Sequence, residues 1–263
     1  MDLSDTGSII KLVIIGILLT IIIIGSFKNG RFESDKFAMS LLLVFILPGL
    51  AISFLKTMIY LFDNFSVYKF LFLGFAIGIP FAWLVNKIIG FSTFEHEATH
   101  AFMALLFFHR ITKFVITRYD GGYVDSEGRI NNALSAHMIS LAPYYFPLFA
   151  MIFTLVRPFL NPDFILWWDI WVGMWITFYF ATFYSEIRSQ WYKDGFFLAR
   201  TNEYTETDIA YEGYIFSIIF IFTMSLFFYG LLFNIIFHNY TGIWHYVVEI
   251  FNQNMDFYNS IFG

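Results

Sequence analysis

Cysteine is missing altogether from the 263 residues, so neither a disulfide framework nor a thiolate metal site is open to this chain. Charge is scarce as well. Asp, Glu, Lys and Arg make up 13% of the sequence, against about 25% in a soluble domain. The 15 basic residues are outnumbered by 20 acidic ones and form no cluster, which argues against a nucleic-acid partner. No long linker, internal repeat or low-complexity tract divides the chain.

What remains is apolar and aromatic. The sequence is 59% hydrophobic, with 37 Phe, 16 Tyr and 7 Trp, a composition suited to lipid contact and membrane interfaces. Apolar stretches run over 9–27, 37–55 (continuing towards 62), 70–89, 91–108, 133–156, 164–185 and 213–237. Each approaches the ~20 residues that cross a hydrocarbon core of ~30 Å. The first follows Asp2 and Asp5, where a signal peptide would carry basic residues, so it is expected to be retained as a helix. Loop charges conflict over orientation: Lys28, Arg31 and Lys36 favour one, and Arg110, Lys113, Arg118 and Arg129 the other. The expected fold is an all-α polytopic membrane protein, one membrane domain over 1–263 with about six to seven transmembrane helices.

One stretch breaks the apolar pattern. "FEHEATHAFMALLFF", residues 94–108, places His96 and His100 four apart, one above the other on a helix, so both imidazoles can reach one metal ion. Glu97 is offset from the pair and within reach of a water at that ion. Zinc lowers the pKa of such a water towards about 7, and a carboxylate beside it can take the proton and pass it to a leaving amine. The competing explanation is a hydrogen-bonded histidine pair in a helix bundle. Against it stands cost: a charged group at the bilayer centre is penalised by about 2.5–3.5 kcal/mol on insertion scales. "FEHEATH" gathers four ionisable residues in seven positions.

In these residues the chain resembles the site-2-protease class of intramembrane zinc metalloproteases, especially its minimal bacterial branches. The resemblance covers about 91–220: "HEATHAFMALLFFHRITKFVITRYDGGYVDSEGR" is similar to the family's motif helix and β-segment, and "ALSAHMISLAPYYFP" to its next core helix. Ala142-Pro143-Tyr144 stands where the family carries alanine-glycine-proline. The resemblance implies three regions within that one domain: accessory transmembrane helices over 1–89, a metalloprotease core over 90–237 and an interfacial C-terminal segment over 238–263. It further implies one Zn2+ per chain, held by His96, His100 and a later aspartate, with Glu97 as general base. The substrate would be a transmembrane or membrane-adjacent protein, cleaved within the lipid bilayer of a prokaryotic cell membrane, with a membrane protein partner or regulator to select it.

For the third ligand, Asp194-Gly195 stands at nearly the family's spacing, and Asp208 precedes the last spanning stretch, where a helix N-terminus favours an ionised carboxylate. Asp169, Asp163, His137 and Glu186 complete the candidates. If every stretch crosses fully, Asp163 and Asp169 share a membrane face with His96 while Asp194 and Asp208 lie opposite. A broken or re-entrant segment removes that objection.

After the motif, "RITKFVITRYDGGYV" (110–124) is rich in β-branched and aromatic residues around Asp120-Gly121-Gly122, which predicts a short β-hairpin. Its edge, about Val115, Ile116, Gly121 and Gly122, is a candidate surface for an extended substrate. Pro48, Pro80, Pro143 and Pro147 lie in apolar stretches and are expected to kink them. Two other functions fit the composition: a non-catalytic membrane subunit retaining a metalloprotease-like fold, and a proton- or ion-conducting membrane protein. The second calls for ionisable residues along other helices, where, apart from Asp169, Lys56 and His137, few stand.

Overall fold

A computed structural model describes residues 6–28, 31–89, 91–117, 121–128, 133–194 and 208–262. The chain opens with helix α1 (Thr6–Gly25), a two-residue strand pair β1 (Phe27–Lys28) and β2 (Arg31–Phe32), and the long helix α2 (Ser34–Asp63). Helix α3 (Lys69–Ile89) comes next, followed by α4 (Phe91–Leu106), which carries the histidine motif. Strands β3 (His109–Ile116) and β4 (Gly122–Gly128) pair antiparallel directly after it, with Ile116 opposite Gly122 and a register irregularity between Ile111 and Lys113. Then come α5 (Ala133–Ser140), α6 (Ala142–Tyr145), α7 (Leu148–Val156), a single 3-10 turn, α8 (Pro162–Asp194), α9 (Asp208–Glu212), α10 (Tyr214–His238) and α11 (Thr241–Phe262).

Among the described residues four helices are long and apolar enough to cross a membrane: α2, α3, α8 and α10. Six to seven were expected, and two of the differences have local causes. Helix α4 has 16 residues, about 24 Å at 1.5 Å per residue, short of the hydrocarbon thickness. Phe108 ends it with φ +59° and turns the chain into β3. The stretch 133–156 breaks at Leu141 and again at Phe146, whose backbone is extended (φ −107°, ψ 105°). Phe146 precedes Pro147, and a residue before proline is driven out of the helical region. Pro143 sits in the first turn of α6, where its missing N–H costs nothing.

Helices α3 and α8 form an extensive pair, built on glycine. Gly74 and Gly78 lie one turn apart on α3. A Cβ at Gly74 would run into the Ile170 carbonyl, one at Gly78 would sit 2.5 Å from the Thr177 side chain, and one at Gly173 would run into the Leu71 carbonyl. Such small-residue faces let backbones approach where lipid offers no hydrophobic driving force between helices. The C-terminal stretch, expected at the interface, forms α11 and packs on α2 and α10. Its polar side chains serve the α2 backbone around Pro48. The Gly49 N–H donates to Asn254 Oδ1 (2.8 Å), Asn254 Nδ2 donates to the Ile46 carbonyl (3.3 Å), and the Tyr258 hydroxyl donates to that of Phe45 (2.8 Å).

The core lies between these helices, around Leu71, Tyr144, Tyr145, Phe178, Phe216 and Phe220. Asp169, the lone acid in its apolar stretch, is 4% exposed and is taken up by Arg157. Nε donates to Oδ1 at 2.6 Å and Nη2 to Oδ2 at 3.1 Å, while Nη1 donates to the Ile236 carbonyl at 3.0 Å. This fork places the start of α8 beside the end of α10, and so carries the other end of α8, with Glu186, back to the histidine motif.

Candidate metal centre

His96 and His100 project from one face of α4, and α9 sets Asp208 against both. The two Nε2 atoms are 3.2 Å apart, and each lies 3.4 Å from Asp208 Oδ2. Zinc binds imidazole nitrogen and carboxylate oxygen at about 2.0–2.2 Å; in a tetrahedron the edge between two ligand atoms is about 1.6 times the bond length, hence ~3.2–3.5 Å. The donor triangle fits that ion. Side-chain exposures of 16%, 13% and 35% for His96, His100 and Asp208 put the opening on the aspartate side. Among the described residues this is the group of three such donors that can close on one ion.

The rest of each imidazole is already committed. His100 Nδ1 lies 2.7 Å from the Ile139 carbonyl on α5, and His96 Nδ1 lies 3.1–3.2 Å from both Glu186 oxygens on α8. A carbonyl and a carboxylate accept only, so Nδ1 carries the proton in each ring and Nε2 turns its lone pair to the metal position. Glu186, a third-ligand candidate in the sequence, sits on the Nδ1 side of His96, away from the donor triangle. Burial acts to raise the Asp208 carboxyl, but in the metal-free site, where Nε2 can also carry a proton, the N–H groups of His100 and His96 facing it outweigh burial and hold it well below the usual carboxylate range. An ionised carboxylate is the form a metal takes.

The side chain of Asp194, at the end of α8, is outside the described residues. Asp169 is bound to Arg157 as above, Asp163 is exposed at the start of α8, and His137 faces Glu212 and Asp35.

A cavity of about 610 Å³ opens onto the three donors and is lined also by Glu97, His109, Gly122, Val124 and Tyr144. Glu97 is 6% exposed and packs on Gly122 so closely that a Cβ there would lie 2.6 Å from Glu97 Cγ and 3.0 Å from Oε1. Val115 and Ile116 are paired to Tyr123 and Gly122 and do not line the cavity, which takes His109 from β3 and Gly122, Tyr123, Val124 and Ser126 from β4. On β4 the half-buried Gly122, Val124 and Ser126 alternate with exposed 123, 125 and 127. Two residues of this cavity carried no signal in the sequence. Tyr144, whose hydroxyl donates to Asp208 Oδ2 at 3.4 Å, reads there as one more aromatic among many. His109 reads as a helix end, yet it starts β3 and is 8% exposed.

The chain matches no protein-family model, no characterised protein and no solved structure. What the molecule itself displays is a helical chain with several membrane-length helices and a buried His-His-Asp cluster of zinc-site geometry.

Proposed function

We propose that this protein is a zinc metalloendopeptidase that hydrolyses peptide bonds of membrane-embedded or membrane-adjacent substrates. The observation that carries the reading is the donor triangle of His96, His100 and Asp208 with the buried Glu97 on the same cavity. A zinc ion at the triangle would polarise a scissile carbonyl and make water acidic enough to attack near neutral pH. Three protein donors leave a coordination position open, as catalytic sites do and structural ones do not.

The chain's own residues supply the remainder. Glu97 accepts the proton of the attacking water and delivers it to the leaving nitrogen. The Tyr144 hydroxyl, already on Asp208, is a donor at the cavity wall. Strand β4 has β3 on one side and, among the described residues, no strand on the other, so it offers main-chain hydrogen bonds to an extended substrate. A peptide held as a strand exposes the amide that a helix would shield. A second cavity, of about 440 Å³, is lined by apolar residues of α8 and α10 and reaches Ile187 and Ile209, the neighbours of Glu186 and Asp208. It suits a substrate that arrives from lipid.

The test is Glu97→Gln in the zinc-loaded protein, assayed on membrane-peptide substrates. Loss of hydrolysis by about 10²-fold or more with zinc retained is expected. Full activity in that variant sinks the proposal.

A further inference from the structure

At the other end of α9 from Asp208 lies a second cluster of ionisable groups, and it is buried. Glu212, His137 and Lys36 are 4%, 5% and 4% exposed. Glu212 Oε2 accepts from His137 Nδ1 at 2.7 Å and faces Lys36 Nζ at 3.3 Å. Lys36 Nζ also donates to the Glu212 carbonyl at 2.7 Å and to Glu33 Oε2 at 2.7 Å, which occupies its three N–H bonds. His137 Nε2 faces Asp35 Oδ2 at 3.4 Å. A cluster of this kind costs much to bury and is retained where it fixes one arrangement.

The arrangement it fixes is that of Asp208. Helix α9 has five residues, too few to hold itself by its own hydrogen bonds, and Asp208 and Glu212 stand at its two ends. His137, the partner of Glu212, lies on α5 two residues before Ile139, whose carbonyl orients His100. Contacts therefore close a ring: Asp208 to His100, His100 to α5, α5 through His137 to Glu212, and Glu212 along α9 back to Asp208. Lys36, at the start of α2, seals the ring as its counter-ion. We infer that Glu212 is the positioning residue of the metal centre, and that Lys36 and His137 hold it, so that the N-terminal end of α2 belongs to the site and is not accessory to it. This rests on the metal reading above and adds to it which residues place the third ligand.

The experiment measures zinc affinity by chelator competition on the detergent-purified full chain, with hydrogen exchange of amides 209–213 in the metal-free protein. Glu212→Gln is expected to weaken zinc by about 10- to 100-fold, the usual effect of losing an outer-shell partner, and to speed exchange in α9. Glu212→Asp is expected to recover part of the affinity. Should the single variant fail to fold, Lys36→Met/Glu212→Gln removes both charges together and carries the same expectation. The Lys56→Ala/Glu249→Ala pair, which breaks an exposed 2.7 Å bridge at the other end of α2, serves as control and should leave zinc affinity unchanged. Folded Glu212 and Lys36 variants that bind zinc as the parent does would overturn this inference alone. A parent chain that binds no zinc would overturn both this and the metal reading.

Discussion

At the scale of single residues, the site is a set of protons placed in advance. Ile139 and Glu186 take the Nδ1 protons of His100 and His96, and Asp208 is held ionised between them. Glu97 is placed by absence: its Cγ takes space that a Cβ at Gly122 would fill. Gly122→Ala is therefore expected to lower turnover at least 10-fold, since displacement of a reacting group by about 1 Å can cost 10²-fold, while zinc binding stays within twofold of the parent. Equal losses of both would show that Gly122 acts on the metal ligands instead. His96, Glu97 and His100 were legible in the sequence because their contact is local, four residues on one helix. Asp208 was one candidate among several, because its choice depends on chain path over more than a hundred residues. Asp169 was misleading for a related reason. An acid in an apolar run needs a partner, and nothing in the sequence says that the partner is Arg157 rather than a metal.

At the scale of elements, periodicity and length located the long helices well, and backbone chemistry at a few positions decided the rest. The stretches 91–108 and 133–156 were read as two crossings. Helix α4 is too short, and Pro143 and Pro147 divide the second stretch. The chain from α4 to α7 leads to the start of α8 beside Arg157, and the other end of α8 brings Glu186 back to His96. This is why the objection to Asp208 from counting full crossings does not hold. The hairpin was legible from its Gly-Gly turn and β-branched strands, and of the expected edge residues Val115, Ile116, Gly121 and Gly122, it is Gly122 that lines the cavity. The glycine face between α3 and α8 makes a prediction of its own. Gly173→Val forces a side chain onto the Leu71 carbonyl and should destabilise by about 1–3 kcal/mol or more. Gly16→Ala, with open space around it, should be neutral or slightly stabilising. Thermal or denaturant unfolding in detergent micelles separates the two, and equal stabilities would mean that the α3–α8 approach is looser than described.

At the scale of the whole molecule, two ion clusters pin opposite ends of the bundle: Arg157 with Asp169 at one, and Lys36, His137 and Glu212 at the other. The second gives the fold a pH dependence. Burial alone would raise the Glu212 carboxyl, but His137 first and Lys36 next hold it below its ordinary value of 4.5. Asp35 and Glu33 face the same two partners. A depressed folded value means that the contribution of Glu212 is fully present above pH 4.5 and fades as pH falls through the folded value. The stability gap between parent and Glu212→Gln should thus be flat at neutral pH and narrow in acid. A gap that does not change with pH would show that Glu212 is not ionised in the fold.

The central claim is that His96, His100 and Asp208 hold one zinc ion. It is tested most directly by metal analysis of the purified chain after zinc loading, beside His96→Ala/His100→Ala, Asp208→Ala and Asp169→Ala. The account predicts about one zinc per chain in the parent, none in the histidine variant, a strong loss in Asp208→Ala and no loss in Asp169→Ala. A folded parent without zinc, or full zinc retention without Asp208, would contradict it.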